Sequence, residues 1–379
     1  MYLRHLELRD FRNYGHVSVE FGQGHVVLHG PNGVGKTNLL EAICVAASGT
    51  SPRARTTEEL VHWGCEYGFV GGGFVGADNG AQLDVGLARS GQRQIKINGA
   101  VKRRADLIGV APVVYFWADD IGVVKGEASV RRRLVDTELS AVSRSYYFQL
   151  TRYRRAIEQR NRVLKELRAR RGRQDALGPW DRAAARYGAG LILARSEFLA
   201  LLGPEVSQAH RTLTGGGQSF VMEYRPSVEP PNEQTGEAGG KDRPGLVEEL
   251  AKALAEMFGR ERAADIAQGA TGRGPHREDV ELLLGGHQVR AFGSQGEQRV
   301  CALAIRMGLA TVVEQMTGER PVLLLDDVLS ELDARHRAGV FAACGQVDQV
   351  IITCCDAADI PAEAGEWAQS YEVRDGRLV

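Results

Sequence analysis

The sequence contains few cysteines and no pattern that would give them a common role. It has no Cys-x-x-Cys pair and no regular cysteine spacing; the six residues are Cys44, Cys65, Cys301, Cys344, Cys354 and Cys355. This argues against a disulfide framework or a zinc site and for reduced thiols. The chain also lacks an apolar run of about 18 residues, as a membrane span requires, and an apolar signal core near its start. We therefore expect a cytoplasmic protein without membrane contact.

Net charge is also nearly absent, because 47 Lys and Arg stand against 48 Asp and Glu in 379 residues. The charges are unevenly distributed, however. Residues 131–173 hold fourteen Lys or Arg and four Asp or Glu, a local balance of +10, so the remainder carries −11. Basic and aromatic residues alternate over residues 143–155, a mixture that can neutralise phosphates and stack on bases. This segment is a candidate DNA contact, and a solvated helical face is the alternative.

The predicted elements fall into three segments. Apolar and alternating runs predict strands at 3–8, 16–21, 26–30, 69–76, 81–89, 93–100, 110–117, 280–286, 287–292, 321–327 and 349–355. Helical patterns follow residue 37 and cover about 128–171, 178–213 and 294–316. Residues 226–245 are of low complexity and predict a loop. We therefore expect an α/β layer in two halves, residues 1–125 and 271–379, interrupted by a helical arm, residues 126–270.

A glycine-rich motif follows the third predicted strand. Residues 30–37, GPNGVGKT, match the G-x-x-x-x-G-K-[ST] pattern at every fixed position. Glycines let the backbone wrap closely around phosphate oxygens, Lys36 supplies charge to the β and γ phosphates, and Thr37 offers a hydroxyl to Mg²⁺. An apolar strand before it and a helix after it complete the pattern. The sequence thus predicts a nucleotide site formed by Gly30, Pro31, Asn32, Gly33, Val34, Gly35, Lys36, Thr37 and Asn38.

An acidic pair ends a later apolar run. In PVLLLDD, residues 321–327, the apolar residues lead directly into Asp326 and Asp327. The tip of a buried strand beside a phosphate loop is a position for carboxylates that bind Mg²⁺ or activate water. We expect Asp326 to bind Mg²⁺ together with Thr37, and Asp327 to polarise the attacking water. A strand that ends in a solvated acidic turn is the alternative.

A third motif separates this chain from other phosphate-loop proteins. The sequence has no guanine-reading NKxD, which argues against a GTPase. Residues 292–299, FGSQGEQR, resemble the signature of ABC ATPases, and residues 330–333, SELD, resemble their D-loop. In that superfamily the signature of one subunit closes over the γ-phosphate held by its partner, so the resemblance implies an ATP-dependent homodimer. It implies nucleotide contacts from Ser294, Gly296 and Glu297, and a catalytic set of Lys36, Ser294 and Asp327.

Several strings, in order along the whole chain, resemble the RecF family of bacterial recombination mediators. They are LELRDFRNY, GPNGVGKTNLLEAI, VVKGEASVRRRLVD, TGRGPHRED, FGSQGEQR and LLLDDVLSELD. The resemblance implies an α/β fold, namely an ABC-type phosphate-loop ATPase head with a mixed sheet and an antiparallel β subdomain, split by a helical lever-arm insert. From the first string it implies that Arg12 and Asn13 also contact the nucleotide.

The same resemblance implies a biological task. It implies a slow DNA-dependent ATPase with ATP and Mg²⁺ as cofactors, which dimerises when ATP-bound on double-stranded, gapped or single-stranded DNA. Its partners would be RecR, with RecO and RecA in the same pathway, in gap repair and the SOS response. Two alternatives stay open: an SMC-like head that tethers DNA without a mediator role, and an ATPase that acts on a partner other than DNA.

Three positions depart from the ABC pattern. Asp327 stands where most ABC proteins have glutamate, Cys354 stands about where a switch histidine is expected, and residues 115–120 contain no Q-loop glutamine. The short reach of Asp327 implies slow hydrolysis, and RecF-like proteins share it. His276 and Arg277, beside a Gly-Pro turn, either line the nucleotide or DNA side or cap the turn.

Overall fold

Two units are present in the computed structural model. It describes residues 1–77, 80–230, 243–330, 334–344, 347–356, 369–374 and 376–378. The first unit, here the head, comprises Met1–Val124, Pro204–Phe220 and Phe292–Val379. The second unit, here the arm, comprises Lys125–Gly203 and Val221–Ala291.

The bounds of the elements are as follows. The strands are β1 (Tyr2–Phe11), β2 (Tyr14–Glu20), β3 (Gly24–His29), β4 (Tyr67–Val75), β5 (Gly80–Ala88), β6 (Arg93–Ile97), β7 (Ala100–Lys102), β8 (Val113–Phe116), β9 (Phe220–Arg225), β10 (Asp279–Leu284), β11 (His287–Gln288), β12 (Val322–Leu325), β13 (Gln349–Cys354), β14 (Gln369–Arg374) and β15 (Arg377–Leu378). The helices are α1 (Lys36–Ser48), α2 (Ile121–Lys125), α3 (Ala128–Val142), α4 (Arg144–Arg168), α5 (Gly178–Thr214), α6 (Arg243–Gln268), α7 (Val289–Phe292), α8 (Gln295–Thr317) and α9 (Ala334–Cys344). Short 3-10 turns occupy Glu58–Leu60, Arg104–Leu107, Ala118–Asp120 and Gln174–Leu177.

The head contains two six-stranded sheets. The antiparallel sheet has the order β2-β1-β4-β5-β6-β7, and the mixed sheet has the order β15-β14-β3-β13-β12-β8. In the mixed sheet β14, β3, β13, β12 and β8 run parallel, and β12 and β13 are buried along their whole length, as strands covered on both faces are. Helix α1 contacts strands of both sheets and is buried on all sides. The predicted fold class is confirmed.

The arm is built from α3, α4, the first part of α5, α6 and a small sheet of order β11-β10-β9. The single helix predicted over residues 128–171 is two helices. They break at Ser143, whose extended backbone begins α4 and whose hydroxyl accepts a bond from the Tyr146 amide at 3.2 Å. Helix α6 was not predicted, and it begins at Arg243 inside the segment predicted as a loop; residues 231–242 lie outside the described residues. The predicted strand 287–292 becomes helical after Gln288.

The division into units differs from the predicted segments at two places. Residues 204–220 group with the head, because the end of α5 packs closely on helices there: a Cβ on Gly308 would meet Val206 at 2.8 Å, and one on Gly339 would meet Leu213 at 2.8 Å. Residues 271–291 group with the arm, because β10 packs against α3.

In the part of the chain that the structure describes, one helix has the length and mean apolarity of a membrane span, although its sequence includes charged residues. It is α8, and 72% of its most apolar window is buried inside the protein. The core helix of a folded domain meets the same criterion, and α8 carries fully buried residues such as Cys301, Ala304 and Leu309. We therefore assign α8 to the core of the head.

Candidate functional site

The phosphate loop connects β3 to α1 and fits tightly among its neighbours. Gly30 has φ 144°, and a Cβ there would meet the Val373 carbonyl oxygen at 2.6 Å. Gly35 has φ 116°, and a Cβ there would meet Nδ2 of Asn13 at 2.5 Å. Both positions therefore require glycine, for conformation and for space.

The buried lysine of the motif lies inside the curve of this loop. Nζ of Lys36 donates to the carbonyl oxygens of Gly30 at 2.5 Å and Pro31 at 3.0 Å. The N-cap residue of α1 is Gly35, which has no side chain that could accept a hydrogen bond from the first amides of the helix. Uncapped amides and the positive end of the helix dipole favour a bound anion. The loop, the lysine and the helix start together have the geometry of a phosphate site.

The turn between β1 and β2 supports the loop. Nδ2 of Asn13 donates to the Val34 carbonyl at 2.9 Å, and Nδ2 of Asn38 donates to Oδ1 of Asn13 at 2.8 Å. The Tyr14 hydroxyl donates to the Gly35 carbonyl at 2.9 Å. These bonds fix the position of the loop and place Asn13 and Asn38 beside it.

Arg12, in the same turn, has its guanidinium on a buried carboxylate. Nε and Nη2 of Arg12 donate to the two oxygens of Glu41 at 2.9 and 2.8 Å, and Nη1 donates to the Glu59 carbonyl at 2.6 Å. Glu41 lies on α1, is fully buried and also accepts a bond from Ser51 at 2.5 Å. Arg12 thus connects the turn to α1, and its contact with a nucleotide stays a prediction.

Asp326 directly follows β12 and lies between two threonine hydroxyls. Oγ1 of Thr37 donates to its carboxylate at 2.9 and 3.0 Å, and Oγ1 of Thr353 donates at 2.8 Å. Burial raises the pKa of Asp326, whereas these two hydrogen bonds and the charge of Arg53 act in the opposite direction and Asp327 adds to the rise. The contact follows from the sheet order β3-β13-β12, because carboxyl ends of adjacent parallel strands meet at one edge.

The pair Thr37 and Asp326 fits a magnesium ion. Hydroxyl and carboxylate oxygens are the hard ligands that Mg²⁺ takes, and in ATPases the ion also keeps waters and phosphate oxygens. Within the described ranges, no three or more His, Cys, Asp or Glu side chains group together in a way that could hold a metal. Mg²⁺ bound together with a nucleotide does not need such a group, and the metal-binding role of Thr37 and Asp326 stays a prediction.

Asp327 has an unusual backbone that Thr353 stabilises. Its φ is 50°, in the left-handed region, and its amide donates to Oγ1 of Thr353 at 2.9 Å. Cys354, which stands about where a switch histidine is expected, has a buried side chain at 2% exposure. Thr353 contacts both acidic residues instead, and it was missed. The signal was a polar residue at the end of an otherwise apolar strand.

The signature motif forms the start of α8. The Ser294 hydroxyl accepts a bond from the Glu297 amide at 3.3 Å, and the Ser294 amide donates to the Glu297 carboxylate at 2.8 Å, which together form a capping box. Ser294 and Gly296 are exposed, and a Cβ on Gly296 would meet no atom of the described residues within 4 Å. Glu297 is engaged as the capping partner, so its contact with a nucleotide stays a prediction. Most of the predicted D-loop, residues 331–333, lies outside the described residues.

Comparison with known proteins places this geometry in a family. The family model described as "RecF/RecN/SMC N terminal domain" matches residues 2–376. The chain is 34% identical to the DNA replication and repair protein RecF of Moorella thermoacetica over 376 residues, which is 99% of this chain and 95% of that protein. The chain belongs to the RecF family. The chain is also 34% identical to the DNA replication and repair protein RecF of Symbiobacterium thermophilum, over 100% of this chain and 98% of that protein.

Solved structures agree with the RecF family assignment. A structure of the recombination mediator protein RecF-ATPrS in the RecFOR pathway has a TM-score of 0.87 and 30% identity, covering 100% of this chain and 97% of that chain. An Smc head bound to the C-winged helix domain of ScpA has a TM-score of 0.55 at 16% identity, over 100% and 97% of the two chains, and shows the fold alone. The head therefore has the ABC/SMC-type ATPase fold, in a family of ATP-binding DNA repair proteins.

The basic segment of the arm, residues 131–173, contributes less charge to the protein surface than its sequence predicts. Arg131 donates twice to Asp279 at 2.8 Å, and the fully buried Arg160 donates to Asp181 at 2.7 Å and Asp265 at 2.6 Å. Two of the interleaved aromatics, Tyr146 and Tyr153, are buried as well. These side chains hold the arm together and are not available to DNA.

Part of the remaining exposed charge lies on one side of α4. Arg144, Phe148, Arg152 and Arg155 are exposed, and Phe148 is 56% exposed. Their spacing of four, four and three residues places them on one helical face. We call these four residues the α4 basic face. A row of arginines with one exposed ring suits a phosphate backbone with adjoining bases.

Proposed function

We propose that this RecF-family protein is an ATP-operated DNA clamp. It would be a slow, DNA-dependent ATPase of the cytoplasm, and its ATP-bound homodimer would close on double-stranded or gapped DNA. In that role it would support RecA loading on single-stranded gaps, together with RecR and RecO, in recombinational repair and the SOS response. The observation that carries the proposal is the assembly of Thr37, Asp326 and Thr353 beside the phosphate loop, in a chain whose signature serine is exposed.

The residues of the loop and the strand tips have distinct roles in this proposal. Lys36 holds the β and γ phosphates of ATP, and the amides at the start of α1 bind the same group. Thr37 and Asp326 would hold Mg²⁺, which would neutralise phosphate charge when bound. Asp327 orients the attacking water. Because its side chain is shorter than glutamate, we expect slow turnover, suited to a switch.

The exposed signature supports a dimer. Among the described residues, Gly296 has no neighbour that would exclude a side chain, so its small size suggests close approach by another molecule. The amides at the start of α8 and the Ser294 hydroxyl would contact the γ-phosphate held by a second copy of this chain. Release of that phosphate would then open the dimer.

The DNA part of the proposal is supported by charge and by family. The α4 basic face offers arginines for phosphates, and the relatives are named as DNA replication and repair proteins. RecF structures are assigned to the RecFOR pathway, which supports RecR and RecO as partners. Retention on gapped DNA should therefore increase when RecR is added; a protein that is indifferent to RecR would contradict the mediator role.

The decisive experiment measures molecular mass in solution with and without ATP. Wild type should double its mass with ATP, whereas Ser294→Arg should stay monomeric and still bind ATP, because its own phosphate loop is intact. Ser90→Arg, the same change at another exposed serine of the head, should dimerise normally. Lys36→Met should lose ATP binding itself. A Ser294→Arg protein that dimerises like wild type would contradict the signature assignment.

A further inference from the structure

The loop between α6 and β10 is a tightly specified turn, and we call residues 271–279 the arginine turn. The Arg277 amide donates to the Gly274 carbonyl at 2.8 Å, which closes a β-turn with Pro275 at its second position. Gly274 has φ 129°, and a Cβ there would meet the Tyr153 hydroxyl at 2.9 Å. Only glycine therefore fits this position.

His276 holds the turn from inside. Its Nε2 lies 3.1 Å from the Thr271 carbonyl oxygen, and its Nδ1 lies 2.8 Å from the Tyr153 hydroxyl. A carbonyl oxygen only accepts, so Nε2 carries the proton and Nδ1 accepts from the tyrosine. Both ring nitrogens are therefore used, and His276 caps the turn.

Buried arginines of the arm helices fix the rest of the turn. Arg160 donates to the Thr271 hydroxyl at 2.8 Å, and Arg195 donates to the Pro275 carbonyl at 2.7 Å and to Glu278 at 2.9 Å. Arg195 and Glu278 are 3% and 4% exposed. A turn bound to this many buried ionic groups is rigid, because moving it would leave charges unpaired in the interior.

Arg273, directly before this β-turn, and Arg277, its last residue, are nevertheless exposed. Among the described residues, Arg277 forms no ion pair, and Arg273 makes only a 3.4 Å contact with Glu261. The carboxylates of Glu278 and Asp279 are engaged by Arg195 and Arg131, so they do not neutralise the outer arginines.

A third cation adjoins Arg277. Arg132 is half-buried and donates through Nη1 to the Glu278 carbonyl. Its pKa is lowered, first by burial and then by the charges of Arg195 and Arg277, whereas Asp279 and Asp136 act in the opposite direction. Cations are thus held near one another at the outside of a rigid turn, which is the arrangement of a site that awaits an anion.

We propose that the arginine turn binds the phosphodiester backbone of DNA, with Arg277 as the principal contact and Arg132 and Arg273 beside it. The proposal rests on the DNA-binding function above and adds a site separate from the α4 basic face. A guanidinium matches the oxygens of a phosphate in a two-bond arrangement, and a turn held rigid in advance loses little entropy on binding.

The chemistry of the surface favours nucleic acid over an acidic peptide. Protein interfaces use aromatic or aliphatic anchors, and none of the large exposed hydrophobic side chains of the described chain belongs to residues 271–279. The turn offers charge without an apolar pocket. We therefore expect contacts to phosphates with no dependence on base sequence.

The test is the salt dependence of DNA binding, measured by fluorescence anisotropy with a short labelled duplex of mixed sequence in the presence of ATP. Between about 50 and 200 mM salt, the logarithm of the association constant falls linearly with the logarithm of the salt concentration. Loss of one phosphate contact makes this line less steep by about 0.9, which corresponds at about 0.1 M salt to an affinity about eightfold weaker. We expect both changes for Arg277→Gln. Arg277→Lys should keep the slope because it keeps the charge.

The controls separate this site from folding and from the general function. Arg186→Gln, at an exposed arginine elsewhere in the arm, should bind like wild type. Should Arg277→Gln fail to fold, Arg273→Gln tests the other side of the turn with the same expected direction. A wild-type slope and affinity for both variants would overturn the proposal, and so would weaker binding with an unchanged slope. If these variants bind DNA normally but no longer bind polyglutamate, the proposal is overturned and the arginine turn binds an acidic protein instead. A wild type that does not bind DNA would refute the proposed function instead.

Discussion

Replacing Thr353 by valine tests whether one hydroxyl holds the two acidic residues in place. The side chain is fully buried, donates to Asp326 at 2.8 Å and accepts from the Asp327 amide at 2.9 Å. Valine has nearly the same shape but makes neither bond. A bond to a charged group contributes about 1.5–3 kcal/mol, and a buried donor without a partner costs about 1–3 kcal/mol. Because Thr37 still serves Asp326, we expect the head to lose about 3 kcal/mol of unfolding free energy.

Urea unfolding of Thr353→Val, Thr353→Ser and wild type measures this loss. Serine keeps the hydroxyl and removes one methyl group, so it should cost only about 1 kcal/mol. The second readout is ATP turnover. The left-handed backbone of Asp327 depends on its bond to Thr353, so Thr353→Val should hydrolyse ATP more slowly than Thr353→Ser at saturating ATP. Equal stability of the valine and serine variants would refute the role given to the hydroxyl.

Two further predictions concern protonation and thiol chemistry. Burial, reinforced by Arg277 and Arg132, lowers the pKa of His276 below its ordinary 6.5, against opposing effects of Thr271 and Glu278. Below about pH 6.5 the imidazole of His276 therefore binds a proton in the unfolded chain more readily than in the folded chain, so the free energy of unfolding falls as the pH drops. Urea unfolding should show a weaker acid dependence for His276→Gln; an unchanged dependence would contradict this. A thiol reagent should label Cys355 before the other cysteines, because Cys355 is exposed. ATP should slow this labelling, because Sγ of Cys355 donates to Asn32 of the phosphate loop at 3.1 Å. A labelling rate that does not change with ATP would contradict this.

The sequence was informative wherever a motif has a fixed mechanism. The phosphate loop and the acidic strand imply contact between Thr37 and Asp326, and the structure joins them at 2.9 Å. The local signal of Thr353, a polar residue at the end of an apolar strand, does not say which residues it contacts, because its role depends on β13 lying between β3 and β12. Sheet order is a long-range property that such a local signal does not encode.

The basic arm shows a different limit of sequence reasoning. A count of charges treats every arginine as a surface residue, but Arg131 and Arg160 pair with carboxylates that are distant in sequence. Helical periodicity also could not separate α3 from α4, since a single serine can either continue a helix or cap the next one. The pattern indicated the location of charge, and tertiary packing decided which part of it reaches solvent.

The order of strands in the mixed sheet has a consequence for synthesis of the protein. Strand β3, which leads into the phosphate loop, has β13 and β14 as its neighbours. Gln349 at the start of β13 pairs with Gly24 at the start of β3, and 349 − 24 gives a separation of 325 positions of sequence. At about 5–20 residues per second, a ribosome needs roughly 16 to 65 s to cover that distance. During this interval the glycine loop has emerged without β13 and β14 beside β3, so we expect a nascent chain to hold ATP only after both strands have been made.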